Sequence, residues 1–254
     1  MIVSSKELLS YLKVWLTGMR KKNNKKGFVI PITGGIDSIV CATLCLSIDP
    51  SLPVTLIFMG FKDKENTFYK WAKDKFGQYP GKEFLFPAHP QLDLELSEGG
   101  DIRVNLIGLY VNAIGEDKDL LAVGNVTRSE YSIIKSFQYD AYECYPLIDL
   151  YRNEIIEFGR KLDLPEELLE NTSLYEKKLE ITFDELEWLD RENLATNILG
   201  SPTPPTSSRF WEIYDQRRKQ VVSKIYSTHE RVKHKTLPED KMCLARKYLP
   251  GILS

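Results

Sequence analysis

Apolar residues recur at helical intervals through Leu8, Leu9, Leu12, Trp15, Leu16 and Met19, which predicts an amphipathic helix over residues 5–19. Its apolar face suits packing on a sheet rather than a membrane, because the basic cluster Arg20-Lys21-Lys22 falls before the next strand instead of along the helix. That strand, Phe28-Val29-Ile30-Pro31-Ile32, is a short apolar run rich in β-branched residues. Helical spacing returns over residues 39–48, and Asp49-Pro50-Ser51 breaks it before a second strand at 54–58. The alternation continues with a helix at 65–76, a strand at 83–86, a helix at 101–113 and a strand at 120–123. Ile155, Ile156, Phe158 and Leu162 mark a helix over 152–162, and Pro165-Glu166-Glu167 suits the first turn of another. Strands and helices in this order imply an α/β fold: a doubly wound, mostly parallel sheet with helices on both faces.

Length and charge narrow the classes. A chain of 254 residues can bury a substantial core, and 34 Lys and Arg against 36 Asp and Glu leave no field to attract nucleic acid. The basic face of residues 210–226, at Arg217, Arg218 and Lys219, therefore reads as solvated. Cys41, Cys45, Cys144 and Cys243 lack a two-plus-two metal spacing, and Cys41 with Cys45 lies on the apolar side of its helix. Reduced core thiols and a cytoplasmic setting follow. No apolar run reaches transmembrane length, and no secretory leader is expected. Beyond Thr172 the character changes, and Gly200-Ser201-Pro202-Thr203-Pro204-Pro205 is a turn or flexible segment. Residues 1–190 are expected to form the main unit, with 191–254 a helical extension of the same domain.

The chemistry concentrates at strand exits. Thr33-Gly34-Gly35-Ile36-Asp37-Ser38 follows the first strand and opens a helix. Adjacent glycines leave backbone N–H groups uncovered beside the free first-turn N–H groups of the helix, as a phosphate turn requires. Thr33 and Ser38 offer hydroxyls, and Asp37 a ligand for Mg²⁺. The same residues also make an ordinary loop and helix cap, and both readings stand on composition alone. The Walker A spacing and the dinucleotide glycine pattern are absent. Met59 to Asp63 occupies a strand exit as well, and so does Gly124-Asn125-Val126-Thr127-Arg128-Ser129-Glu130. His89 has no companion ligands for a metal role, while His234-Lys235 before Pro238 is an anionic-ligand candidate.

In combination these elements resemble the adenine nucleotide alpha hydrolase superfamily of PP-loop ATP pyrophosphatases, and more closely the ammonia-dependent NAD synthetases. That family's Ser-Gly-Gly-x-Asp-Ser loop corresponds to residues 33–38, with Thr33 for the first serine. Its Gly-Thr-Gly-Asn-Arg/Lys-Ser-Glu element corresponds to residues 124–130, keeping Gly124, Arg128, Ser129 and Glu130. Its Pro-x-x-Asp-Leu-Tyr element corresponds to Pro146, Asp149, Leu150 and Tyr151, and its His-Lys-Arg element to the region of His234. The resemblance implies a homodimeric ligase that adenylates the carboxylate of nicotinate adenine dinucleotide with ATP and Mg²⁺, releases pyrophosphate and lets ammonia displace AMP. It assigns nucleotide contacts to Thr33, Gly34, Gly35, Asp37, Ser38, Arg103, Thr127, Arg128, His234 and Lys235. Metal ligation goes to Asp37 and Glu130, and catalytic roles to Asp37, Ser38 and Lys235.

Departures from the family pattern gather at the second substrate. Asn105 stands where a second arginine would accompany Arg103, Val126 replaces a glycine, and residues 138–143 read Gln-Tyr-Asp-Ala-Tyr-Glu in place of a glycine and aspartate run. The family's Lys-x-x-Ser-Ala segment has no clean counterpart near residues 170–173, where Lys177 and Lys178 are the nearest substitutes. Two further readings follow: a related PP-loop ligase or amidotransferase acting on another carboxylate or carbonyl, and a non-catalytic adenine-nucleotide-binding protein. No glutaminase region fits the mapped chain, so nitrogen would come as free ammonia or from a separate glutaminase.

Overall fold

The computed structural model describes residues 5–59, 66–87, 100–128, 142–169 and 243. In chain order these form α1 (Ser5–Lys22), β1 (Gly27–Ile32), α2 (Ile36–Leu46), β2 (Val54–Phe58), α3 (Thr67–Phe76), β3 (Lys82–Leu85), α4 (Gly100–Lys118), β4 (Leu120–Ala122), α5 (Arg152–Lys161) and α6 (Glu166–Leu169). Several boundaries differ from the sequence expectation for identifiable reasons. α1 runs on to Lys22, so the basic cluster forms its last turn, where cations suit the negative end of the helix dipole. α2 starts at Ile36 rather than Ile39, which places Asp37 and Ser38 inside the first helical turn. α3 waits until Thr67 because the Asn66 side chain caps it, accepting from the Tyr69 N–H at 3.0 Å.

All strand pairs in the sheet are parallel, and its order is β3-β2-β1-β4. Side-chain alternation divides two cores. Phe28, Ile30, Ile32, Leu56, Phe58, Leu121 and Val123 point to one face, where α1, α2, α3, α5 and α6 bury Leu12, Leu16, Val40, Leu44, Phe68 and Phe158. Val29, Ile57, Leu120 and Ala122 point to the other, packed against Ile107 and Val111 of α4 together with Tyr142 and Tyr145. A strand buried on both faces must be apolar at consecutive positions, and residues 28–32 meet that demand. α1 lays its apolar stripe on α2 and α5 in the helical layer, one layer further out than the direct packing on the sheet expected for it. Among the described residues no helix is long and apolar enough to cross a membrane.

The chain builds outward from β1 through β2 to β3 and then crosses back to place β4 on the opposite side of β1. Such a reversal opens a crevice beyond the carboxyl ends of the two central strands. Pro31 widens it. Phe28 bonds toward β2 through Pro53, while the Val29 carbonyl accepts from the Val123 N–H at 3.0 Å, so Pro31 faces the β4 side. The next rung of the β1–β4 ladder would need an N–H at Pro31, which proline lacks. Pairing stops after Val29↔Ala122, and Val123 turns to bridge Cys144 instead.

Candidate active site

The first loop emerges at this crevice directly from β1. Gly34 has φ 89°, a left-handed conformation that a side chain would strain. Gly35 has φ −75° and ψ 152°, open to any residue, and a Cβ added there would meet nothing within 4 Å. Neither packing nor backbone conformation requires glycine at position 35. Its missing side chain leaves open space at the N-cap of α2, beside the first-turn N–H groups that a helix leaves without intrahelical acceptors. Asp37 sits in this first turn and is 5% exposed.

Ser38 closes the loop on itself. Its Oγ donates to the Gly35 carbonyl at 2.7 Å and accepts from the Thr33 N–H at 3.3 Å, and the residue is fully buried. The hydroxyl proton, expected on a phosphoryl oxygen, is here committed to the turn, so Ser38 shapes the cradle. Thr33 is exposed at its mouth.

The second loop leaves β4 on the other side of the crevice and is fastened to residues 142–151. The Gly124 N–H donates to the Cys144 carbonyl and the Arg128 N–H to the Leu150 carbonyl, each at 2.9 Å. Arg128 Nη1 also lies 3.4 Å from Asp149 Oδ1, an ion pair buried at its carboxylate end and partly open at its guanidinium. Gly124 is glycine for a packing reason: a Cβ there would stand 2.4 Å from Tyr145 Cε1 and 3.0 Å from Tyr142 Cδ2. Those two rings meet edge to face, 5.8 Å apart, and burial pushes the Tyr142 phenol well above its usual range. Val126 is half-buried against the same cluster, and Thr127 is 1% exposed. Cys41 Sγ, on α2, reaches the Gly124 carbonyl at 3.8 Å, so α2 touches both loops. The thiol of Cys45 behind it is driven up by burial and stays protonated, as a core thiol does.

The structure thus brings Thr33, Gly34, Gly35, Asp37 and Ser38 to one strand exit and Thr127 and Arg128 to the neighbouring one. Arg103 lies on α4, and Glu130, His234 and Lys235 lie outside the described residues. Met59, expected to open a ligand-facing loop, is instead core, 2% exposed among Ile57, Ile107 and Val111. Sequence reasoning missed a cavity of about 210 Å³ beside the first loop, lined by Ile32, Gly34, Asn66, Thr67, Phe68 and Glu167 among others. The Asn-Thr capping signature at the head of α3 was the available clue. Its other wall comes from α6, which no local pattern connects to β1.

No protein-family model matches the chain. It is 26% identical over 212 residues to the NH3-dependent NAD synthetase of Mesoplasma florum, covering 72% of this chain and 83% of that one. Two Pyrococcus proteins of the same name, from P. furiosus and P. horikoshii, are each 28% identical to it over 165 and 178 residues, so the chain is similar to the ammonia-dependent NAD synthetases at low identity. Its fold matches that of the NMN synthetase from Francisella tularensis with TM-score 0.67 at 20% identity, over 93% of this chain and 99% of that one. The NH3-dependent NAD synthetase from Campylobacter jejuni matches with TM-score 0.57 at 18% identity, over 87% and 96%. The loops at the β1 and β4 exits carry two of the sequence elements on which the resemblance rests.

The residues present suit a nucleotide held with Mg²⁺. The bare head of α2 fits a polyphosphate. The Asp37 carboxylate supplies a hard oxygen donor of the kind Mg²⁺ takes.

Proposed function

We propose that this chain is an ATP-dependent ligase that forms an amide from a carboxylate and ammonia. The observation that carries the reading is the Thr33–Ser38 turn, whose Gly35 is required by neither packing nor backbone angle and whose head of α2 stands open at the crevice. The carboxylate oxygen of the acceptor attacks the α-phosphorus of ATP, and the bond to the β,γ-diphosphate breaks, leaving pyrophosphate and an acyl adenylate. Ammonia then adds to the acyl carbon and AMP leaves with the shared oxygen, while a proton passes to solvent. Adenylation replaces a poor leaving group by AMP. The α2 N-terminus stabilises negative charge building on the departing pyrophosphate, and Gly34 and Gly35 let the backbone approach it. Ser38 keeps the turn in that shape. Mg²⁺, held by Asp37 and Glu130, would supply charge neutralisation along the phosphates. Arg128 would hold the nucleotide from the β4 side, with Thr33 and Thr127 lining the loops, and Arg103, His234 and Lys235 completing the anionic site. The cavity between the first loop, Asn66 and Glu167 is of a size and place to take the nucleoside end.

Nicotinate adenine dinucleotide is the acceptor favoured by the family likeness. A second acceptor is favoured by one specific observation: Tyr142 and Tyr145 press on Gly124, with Val126 beside them, where smaller residues would leave room. A shorter carboxylate fits that narrowing, such as nicotinate mononucleotide, whose amide is the product for which the Francisella enzyme is named. Homodimer formation is what the family likeness implies.

The test is a mass-resolved reaction with ATP, Mg²⁺, ammonium and each acceptor in turn. AMP and pyrophosphate in step with amide are expected, and the preferred acceptor shows in kcat/KM. ADP accumulating in proportion to product would defeat the mechanism.

A further inference from the structure

We infer that Asp149 is a positioning residue, which holds Arg128 so that its outward donors face the phosphates of MgATP; the inference rests on the ligase reading above. Asp149 is 3% exposed, in the turn at residues 146–149. Burying a carboxylate is costly unless a cation and hydrogen bonds meet it, and Arg128 Nη1 stands 3.4 Å away. The backbone joins the same two segments one residue further on, through the Arg128 N–H and the Leu150 carbonyl at 2.9 Å. Arg128 is therefore gripped twice, at its amide and at its guanidinium. Its side chain is 23% exposed while that of Asp149 is 4% exposed, so the pair is anchored inside and opens outward on the arginine side.

A planar guanidinium carries its N–H donors in a fixed fork, and a carboxylate beside one of its nitrogens restricts how that fork can turn. Unfastened, a long side chain loses rotamer freedom each time it meets a ligand, and binding weakens accordingly. Asp149 touches no reacting atom in this scheme. It acts by keeping the arginine oriented before the nucleotide arrives.

The experiment uses the full chain and measures MgATP binding by calorimetry together with steady-state turnover. Asp149→Asn and Arg128→Ala should each raise the MgATP Kd and KM about tenfold, the scale of one charge-assisted hydrogen bond, with a smaller change in kcat. The double variant should be no worse than the worse single one, because the two residues act as a unit. Millimolar guanidinium ion should restore Arg128→Ala, where it can dock against Asp149, but not the double variant. A purely structural role would leave that rescue absent. Wild-type KM and Kd in Asp149→Asn, losses that multiply in the double variant, or equal rescue of both arginine-less proteins would each overturn the proposal. If Asp149→Asn does not fold, Arg128→Lys decides: it keeps the charge and loses the fork, so a wild-type Kd there counts against the inference and a weakened one supports it. The failures separate cleanly. A wild type that binds MgATP but makes no AMP or pyrophosphate sinks the ligase reading while the binding arms still judge Asp149. Turnover that is indifferent to Asp149 sinks only the inference.

Discussion

The turn after β1 and the turn after β4 reach the same end of the sheet by opposite means. The first is closed within itself: Ser38 bonds to Gly35 and Thr33, all inside six residues. The second is held from outside, by Cys144, Asp149 and Leu150, some twenty residues further along the chain. Glycine changes meaning between them. At Gly35 its hydrogen faces open space, whereas at Gly124 it faces an aromatic ring. One loop is thus shaped to leave a volume empty and the other to let the protein fill one.

The sharpest way to break this contrast is Asp37→Asn, which keeps shape and removes charge. Turnover should fall at least about 100-fold if Asp37 stands beside the transferring phosphates, with apo unfolding little changed. Undiminished turnover would take Asp37 out of the centre. Next is Gly124→Ala, where the new methyl group collides with Tyr145, and a loss of about 1–3 kcal/mol is expected in urea unfolding. A midpoint equal to wild type would mean that the tyrosine wall yields freely. Ser38→Ala should cost less, about 1 kcal/mol, because one turn-closing hydrogen bond disappears from a local loop. Chevron kinetics can assign it; if the loss exceeded that of Gly124→Ala, the first loop would not be the self-contained one. Gly35→Ala should change stability by no more than about 1 kcal/mol, since φ −75° suits alanine while the N-cap position of α2 favours glycine. Calorimetry on the same protein should show weaker MgATP binding, and unaltered affinity would remove the reason given for the glycine.

Periodicity made the strands and helices legible, because a strand covered on both faces and a helix covered on one leave different spacings. The β2 boundaries, Val54–Phe58, agree with the expectation residue for residue. Helix starts were less legible. Asp37 and Ser38 are equally good capping and first-turn residues, and the geometry of Gly35, which serves as the cap, depends on β1 ending where it does. The first loop could be read as a candidate because the hydrogen bonds that Ser38 makes to close its turn span only a few residues. The fastening of Arg128 to Asp149 could not, since each residue alone resembles a solvated charge and only the fold makes them neighbours. Likewise Tyr142 and Tyr145 read as generic aromatics until Gly124 is seen lying beneath them.

One small device at the β4 side has a consequence for how this protein keeps company. The outer rim of β4 has no regular fifth strand beside it among the described residues. At Ala122 the N–H is taken instead by Glu143 Oε2 at 2.7 Å, with Lys25 Nζ 3.7 Å from the same carboxylate. A carboxylate standing in a hydrogen-bonding slot occupies the place a stray strand would need and presents charge to any that approaches. With the Ala122 carbonyl and the Gly124 N–H already bonded to the backbone of residues 143 and 144, this stretch of the rim offers an incoming chain few open rungs.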